Sequence, residues 1–226
     1  MNNKIKQPKA ILFDWDDTLA HTRIAVVDAM EYVLKKYGRE DWNTTKSKYR
    51  DTSKSLKENF PNFFGEDAES VYTDYLAYYI QNAYNKIAPL EGAEEFLQQC
   101  LHKNIRLYIV SNKEKSLLLR EVAFCFPKIP FTSILGNGDA VHNKPYPDLV
   151  YAALANTDYE INKDNVWLIG DTKQDTECAY NAGIQPILLG KGKFMDETYI
   201  RDKINTQSQL WRFDNFKDIE KVLHKR

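Results

Sequence analysis

The sequence predicts an α/β protein, a mostly parallel sheet layered between helices, with an all-helical domain inserted near its start. Three observations lead there. Beyond residue 93, short buried-looking strands alternate with amphipathic helices, as they do when a sheet is covered on both faces. One strand-like run, "AILF" at 10–13, stands apart from that series, separated by about 70 mostly helical residues. Acidic residues follow directly on strand ends, where open α/β sheets bind ligands.

Each element has its own signal. "AILF" is a continuous apolar run that stops at Asp14, as a fully buried strand does. From Thr22 to Gly38, Ile24, Val27, Met30, Val33, Leu34 and Tyr37 recur at helical spacing, and the glycine supplies a stop. The polar stretch 39–67, including "TTKSKYRDTSKSLKENF", holds one or two short helices. Over 68–85, Val71, Tyr72, Tyr75, Leu76, Tyr79, Ile80, Ala83 and Tyr84 form a stripe with a period near 3.6, most simply a helix-packing face, with tyrosine hydroxyls lining a cleft as the alternative. Pro89 and Gly92 mark a turn, and Ala93, Phe96, Leu97, Cys100 and Leu101 then define a helix. Strand "IRLYIV" follows at 105–110, then a helix near 113–124, a strand near 132–135, a helix near 147–156, strand "VWLIG" at 166–170, a helix from about 175 and strand "PILLG" at 186–190. Residues 191–209 show no legible pattern, and Phe216, Ile219, Val222 and Leu223 predict a closing helix. The expected division is a base domain of residues 1–20 and 88–226 and a helical cap of residues 21–87, placed as a lid over the ligand crevice.

Composition narrows the function. Lys plus Arg is 31 against 32 for Asp plus Glu, a net charge of -1, which gives no field for nucleic acid or an anionic membrane. The N-terminus lacks the apolar core of a signal peptide and no later run is long enough to span a bilayer, so residence in the cytoplasm is expected, as monomer or homodimer. Cys100, Cys125 and Cys178 are odd in number and widely spaced, which argues against a disulfide framework or thiolate zinc site; they read as small hydrophobes.

The charged residues carry the chemistry. Asp14 and Asp16 follow "AILF", Ser111 and Asn112 follow "LYIV", Lys144 lies beyond "SILGNGDAVHN", and Asp171 and Asp175 follow "VWLIG". Singly, each has an ordinary structural explanation as a turn, cap or solvated residue. Parallel strands, however, bring these ends to one edge, where four carboxylates would share a site with a single lysine. Carboxylates so crowded resist ionisation unless a cation sits among them, and oxygen ligands without His or Cys suit Mg²⁺. Lys144 and the Ser111 hydroxyl suit phosphate oxygens. Asp14 then reads as a nucleophile toward phosphorus, and Asp16 as the group that protonates the leaving oxygen and later activates water. His21 and Arg23, beside the expected hinge, are candidate substrate contacts.

Taken in order, "DWDDTL", "VSNK", "HNKPYPD" and "GDTKQD" resemble the four motifs of the haloacid dehalogenase-like hydrolases, over residues 9–190. The inserted block is similar to the helical cap of the subgroup with phosphoglycolate phosphatases and β-phosphoglucomutase. The resemblance implies a Rossmann-like core with its first strand central and Mg²⁺-dependent hydrolysis of a small phosphorylated metabolite. It also implies Asp14 as nucleophile and Asp16 as acid/base and as metal ligand through its carbonyl. By the same resemblance Ser111 and Lys144 hold phosphate, Asp171 and Asp175 form the acidic metal-site pair, and Thr18 and Asn112 are supporting residues. A phosphomutase, or a silent phosphate- or partner-binding module, is the alternative. Asp16 argues against dehalogenation, because halide needs no proton to leave. One departure stands out: Asp17 occupies the place where the family usually has glycine.

Overall fold

A computed structural model describes residues 6–193, 195, 197–205 and 210–224. In the order β5-β4-β1-β6-β7-β8, six strands form one sheet in which every pair is parallel. They are β1 (Ala10–Phe13), β4 (Arg106–Glu114), β5 (Ser133–Asn137), β6 (Val166–Thr172), β7 (Gln185–Lys193) and β8 (Trp211–Phe213). The isolated N-terminal strand is therefore central, as expected. Its four residues are fully buried because both neighbours and both faces are covered.

Alternation along the strands divides the core. Ile11, Phe13, Leu107, Ile109 and Ile169 face α5 (Ala93–His102), α6 (Lys115–Cys125) and α10 (Phe216–His224). Ala10, Leu12, Tyr108, Val110 and Leu168 face α7 (Asp148–Ala153) and α8 (Lys173–Asn181) on the other side. The result is a three-layer Rossmann-like base.

The insertion leaves and returns through a two-stranded antiparallel ribbon, β2 (Ala20–His21) with β3 (Ala88–Pro89). Between them lie α1 (Arg23–Lys36), α2 (Trp42–Tyr49), α3 (Leu56–Phe64) and α4 (Ala68–Tyr78), followed by a π-helical turn over Tyr79–Ala83. The polar stretch 39–67 thus contains both short helices. Asp41 caps the first, and a reciprocal Ser55–Glu58 capping box starts the second. Aromatic contacts of Phe60 with Tyr72 and Tyr75 join α3 to α4 and fix the cap's interior.

Both readings of the stripe over α4 and the following turn hold: Val71, Tyr75 and Tyr79 are buried, while Tyr72 and Tyr75 also line a cavity and Ile80 is exposed. Two sequence expectations need correction. Strand β4 runs through Ser111 and Asn112 to Glu114 instead of ending at 110, because its far end pairs with Asn137 after a register shift. The unreadable segment 191–209 contains the end of β7 and α9 (Glu197–Asn205), while 206–209 lie outside the described residues. The sixth strand, β8, escaped detection because three residues are too short for a period. All three cysteines are buried thiols.

Candidate active site

The site grows from the end of β1. The Asp14 amide donates to the Ile169 carbonyl at 2.9 Å, which locks the residue between β4 and β6. The chain then turns so tightly that the Thr18, Leu19 and Ala20 amides all bond to the Trp15 carbonyl. That turn holds Asp17 at φ +59°, a left-handed conformation that glycine adopts freely and aspartate tolerates.

Around Asp14 the expected groups converge. Lys144 Nζ lies 2.5 Å from Asp14 Oδ1 and 2.6 Å from Asp175 Oδ1, with all three side chains buried. The Thr18 hydroxyl lies within 3.5 Å of Asp14 Oδ2 and 3.4 Å of Asp171 Oδ1. One oxygen each from Asp14, Asp171 and Asp175 falls within 4.8 Å of the others. Burial, and then the neighbouring carboxylates, push Asp14 up to about 7 despite the opposing charge of Lys144. Burial likewise raises Asp171 to about 6, against the pull of Lys193. An all-oxygen donor set in which Asp14 and Asp171 resist ionisation suits a small divalent cation.

Local sequence explains the placement of each partner. Asn112 donates from Nδ2 to the Lys144 carbonyl and accepts the Lys144 amide on Oδ1, both at 2.8 Å, so β4 grips the loop that carries the lysine. Ser111 is buried beside it, and its hydroxyl accepts the Lys113 amide at 3.3 Å. Asp175 is fixed by the capping box of α8, accepting the Thr172 amide at 3.0 Å. That approach demands glycine at 170: a Cβ there would lie 2.3 Å from Asp175 Cγ.

Asp16 points elsewhere. Its Oδ1 accepts from Lys113 Nζ at 2.9 Å and from the Thr22 hydroxyl at 2.5 Å. Burial opposes its charge, but Lys113 and the two hydrogen bonds outweigh that cost and hold the carboxyl below its ordinary range. Lys113 also lies 3.1 Å from Glu121 Oε1, and Glu121 in turn accepts the Trp15 indole N–H at 2.6 Å. The cap reaches this network through Tyr79, whose hydroxyl is 3.4 Å from the Lys113 ammonium. Burial works against the charge on Lys113, but Asp16 and Glu121 raise its pKa well above the ordinary value.

The expectation of a single lysine at the strand ends is therefore wrong. Lys113 and Lys193 join Lys144, and Lys193 Nζ bridges Asp17 at 2.5 Å and Asp171 at 2.8 Å. The carboxylate that replaces glycine is thus turned to a cation on β7. Neither lysine was legible: one follows Ser-Asn like a solvated turn residue, and the other lies in the unpatterned segment. Glu121 was equally hidden, as a buried carboxylate on an otherwise amphipathic helix. The two hinge candidates part company. Arg23 lines the cavity, whereas His21 is exposed on β2 and is not among the lining residues.

Comparison with known proteins agrees with this geometry. Residues 11–189 match the family model described as haloacid dehalogenase-like hydrolase. The chain is 27% identical over 218 residues to a phosphoglycolate phosphatase of Aquifex aeolicus, covering 95% of this chain and 96% of that one. It is 23% identical over 177 residues to the pyrophosphatase PpaX of Oceanobacillus iheyensis, covering 78% and 81%. A predicted phosphoglycolate phosphatase of Haemophilus somnus 129PT shares the fold with a TM-score of 0.78 at 19% identity, over 96% and 99% of the two chains. The described residues include no helix long and apolar enough to cross a membrane. The chain belongs to the haloacid dehalogenase-like hydrolases, in the phosphoglycolate-phosphatase-like subgroup with an inserted helical cap.

Proposed function

We propose that the protein is a Mg²⁺-dependent phosphatase that hydrolyses a small phosphate monoester, of phosphoglycolate or sugar-phosphate type, through an aspartyl-phosphate on Asp14. The observation that carries this reading is the convergence on one buried carboxylate of Lys144 and of two further acids at metal-ligand spacing. Asp14 and Asp171, with the Asp16 carbonyl and Asp175 behind them, are the residues that would hold Mg²⁺. Bound there, the ion supplies neutralisation of charge between carboxylate and phosphate.

The chain's own groups account for the rest. Lys144, Ser111 and the Trp15 and Asp16 amides, which the turn does not use, bind the phosphoryl oxygens, and Asn112 positions the lysine. An Asp14 oxygen bonds to phosphorus as the ester P–O bond breaks, and the departing oxygen takes a proton through Asp16, which first gains it from solvent or from the substrate's own phosphate and leaves the step as the carboxylate. Water then attacks the same phosphorus, Asp16 accepts its proton, and the Asp14–phosphorus bond breaks to release phosphate. Lys113 and Thr22 aim the Asp16 carboxylate and keep it in the form that this second step requires. Residues 21–87 form the lid in this reading and 1–20 with 88–226 the base, a division supported by the β2–β3 ribbon at the crossing.

The test is phosphate release from p-nitrophenyl phosphate and a panel of small phosphate esters. Turnover that requires Mg²⁺ and disappears in Asp14→Asn is expected. Absence of turnover across the panel, or full activity in the variant, contradicts the reading.

A further inference from the structure

Between base and cap lies a cavity of about 510 Å³, whose roof includes Trp42, Lys46 and Arg50 of α2 and its C-cap, and the loop 51–55 that follows. That loop is stiffened from beneath. Asn59 of α3 is fully buried under it: its Oδ1 accepts the Asp51 amide at 2.7 Å, and its Nδ2 donates to the Asp51 and Ser55 carbonyls, each at 2.9 Å. The Asp51 carboxylate in turn accepts the Ser53 amide at 2.9 Å. Thr52 is thereby held at the tip, and its carbonyl crosses to the base, where it accepts Gln174 Nε2 at 3.1 Å.

What lies behind Gln174 sets this contact apart. The residue stands on the first turn of α8, directly before Asp175, and its Oε1 accepts Asn112 Nδ2 at 3.2 Å. Asn112 is the residue that grips the Lys144 backbone through both ends of its amide. Bonds therefore run from the cap loop through Gln174 and Asn112 to the lysine whose ammonium meets Asp14, and Thr52, Gln174, Asn112 and Lys144 all line the cavity. The Gln174 amide fits only one way round, since turning it over would set N–H against N–H at Asn112 and oxygen against oxygen at Thr52. Lys57 and Tyr72 also cross the cleft, but both end on the Glu114 carboxylate. Gln174 passes its contact on to the seat of the lysine.

We propose that Gln174 is a positioning residue that couples closure of the cap to the hold on phosphate. With the cap down, Gln174 is fixed at both ends and locks the Asn112 amide, and with it the Lys144 loop. With the cap raised, the glutamine loses its Thr52 acceptor and regains rotamer freedom, and Asn112 loses a fixed partner. This rests on the phosphatase reading, in which Lys144 binds the phosphoryl group, and goes beyond it by making that grip depend on the cap.

Inorganic phosphate with Mg²⁺ is the probe. It is read as a competitive inhibitor of p-nitrophenyl phosphate turnover and, without turnover, by hydrogen–deuterium exchange over residues 50–55. In Gln174→Leu, similar in size but without polar atoms, the Ki of phosphate should rise by about tenfold, as loss of one hydrogen bond allows. Phosphate should slow exchange over 50–55 in the unsubstituted protein, and most of that slowing should vanish in the variant. Because Gln174 acts through Asn112, adding Gln174→Leu to Asn112→Ala should cost little more in Ki than Asn112→Ala alone. An unchanged Ki, fully additive losses, or no slowing of exchange in the unsubstituted protein overturns the coupling. So does a raised Ki with the slowing intact, which would make Gln174 a local prop of Asn112. Turnover of p-nitrophenyl phosphate would leave the phosphatase reading standing in each of these cases. Failure to hydrolyse it and every panel ester would instead sink the phosphatase reading, on which the proposal rests.

Discussion

The floor and the roof of the cavity use charge in opposite ways. On the floor, every carboxylate at the strand ends is held by named partners: Asp14 and Asp175 by Lys144, Asp16 by Lys113 and Thr22, and Asp171 by Thr18 and Lys193. On the roof, every charged side chain that lines the cavity is basic, and several are exposed or half-exposed. A crowded, buried and mutually hydrogen-bonded floor is preorganised, as groups that act on a reacting atom need to be. A sparse and longer-armed roof can adjust to a leaving group.

That contrast can be broken most forcefully at Lys113. If the floor is preorganised, Lys113→Met should release Asp16 from its position and remove assistance to the leaving oxygen. Alkyl esters, whose leaving groups need a proton, should lose about 10²-fold or more in kcat. p-Nitrophenyl phosphate, with a leaving group that departs unaided, should lose far less. Equal losses on both substrates would reduce Lys113 to a structural residue. The variant also strips the ammonium from Glu121, which is fully buried and keeps only the Trp15 indole N–H, so lowered stability of about 3–5 kcal/mol is expected alongside.

The next effect concerns protons and metal. Burial pushes Asp14 up to about 7 and Asp171 up to about 6 in the folded protein, above the ordinary carboxylate value of about 4 in the unfolded chain. Between these limits the folded state holds protons that the unfolded chain has released, so their contribution makes metal-free stability fall as pH rises from about 4 through about 7. Asp16 acts with the opposite sign: its stabilisation is present above the unfolded value and is lost on acidification through its lowered one. Mg²⁺ competes with the protons on Asp14 and Asp171. Its stabilisation, measured as a shift in Tm, should therefore be larger at about pH 8 than at about pH 5.5. A shift independent of pH would place the ion elsewhere.

Asp17 offers the smallest effect. Asp17→Gly relieves a left-handed residue and removes a partly exposed pair with Lys193, terms of opposite sign each under about 1 kcal/mol. Tm and kcat should move little, and Asp17 is then a tolerated replacement. A tenfold fall in kcat would instead make the Asp17–Lys193 pair part of the floor.

The floor was largely legible in the sequence and the roof was not. "AILF" and "VWLIG" are buried on both faces, so their apolar runs and terminal aspartates stand out, and parallel pairing brings Asp14 and Asp171 together. Lys113 was missed because burial of a lysine depends on groups far along the chain, here Asp16 and Glu121. Lys46 and Arg50 lie in a polar stretch that reads as solvated helix. Only packing of Trp42 against Phe63, with a ring-centre distance of 5.6 Å, turns that face inward.

The central claim is that phosphoryl transfer passes through Asp14. Rapid acid quench of turnover with a slow ester, followed by peptide mass spectrometry, tests it directly. A phosphoryl group on Asp14, formed only with Mg²⁺ and lost on further incubation as phosphate appears, is the predicted result. Phosphate release without any modification of Asp14, or with the label on another residue, would contradict the account.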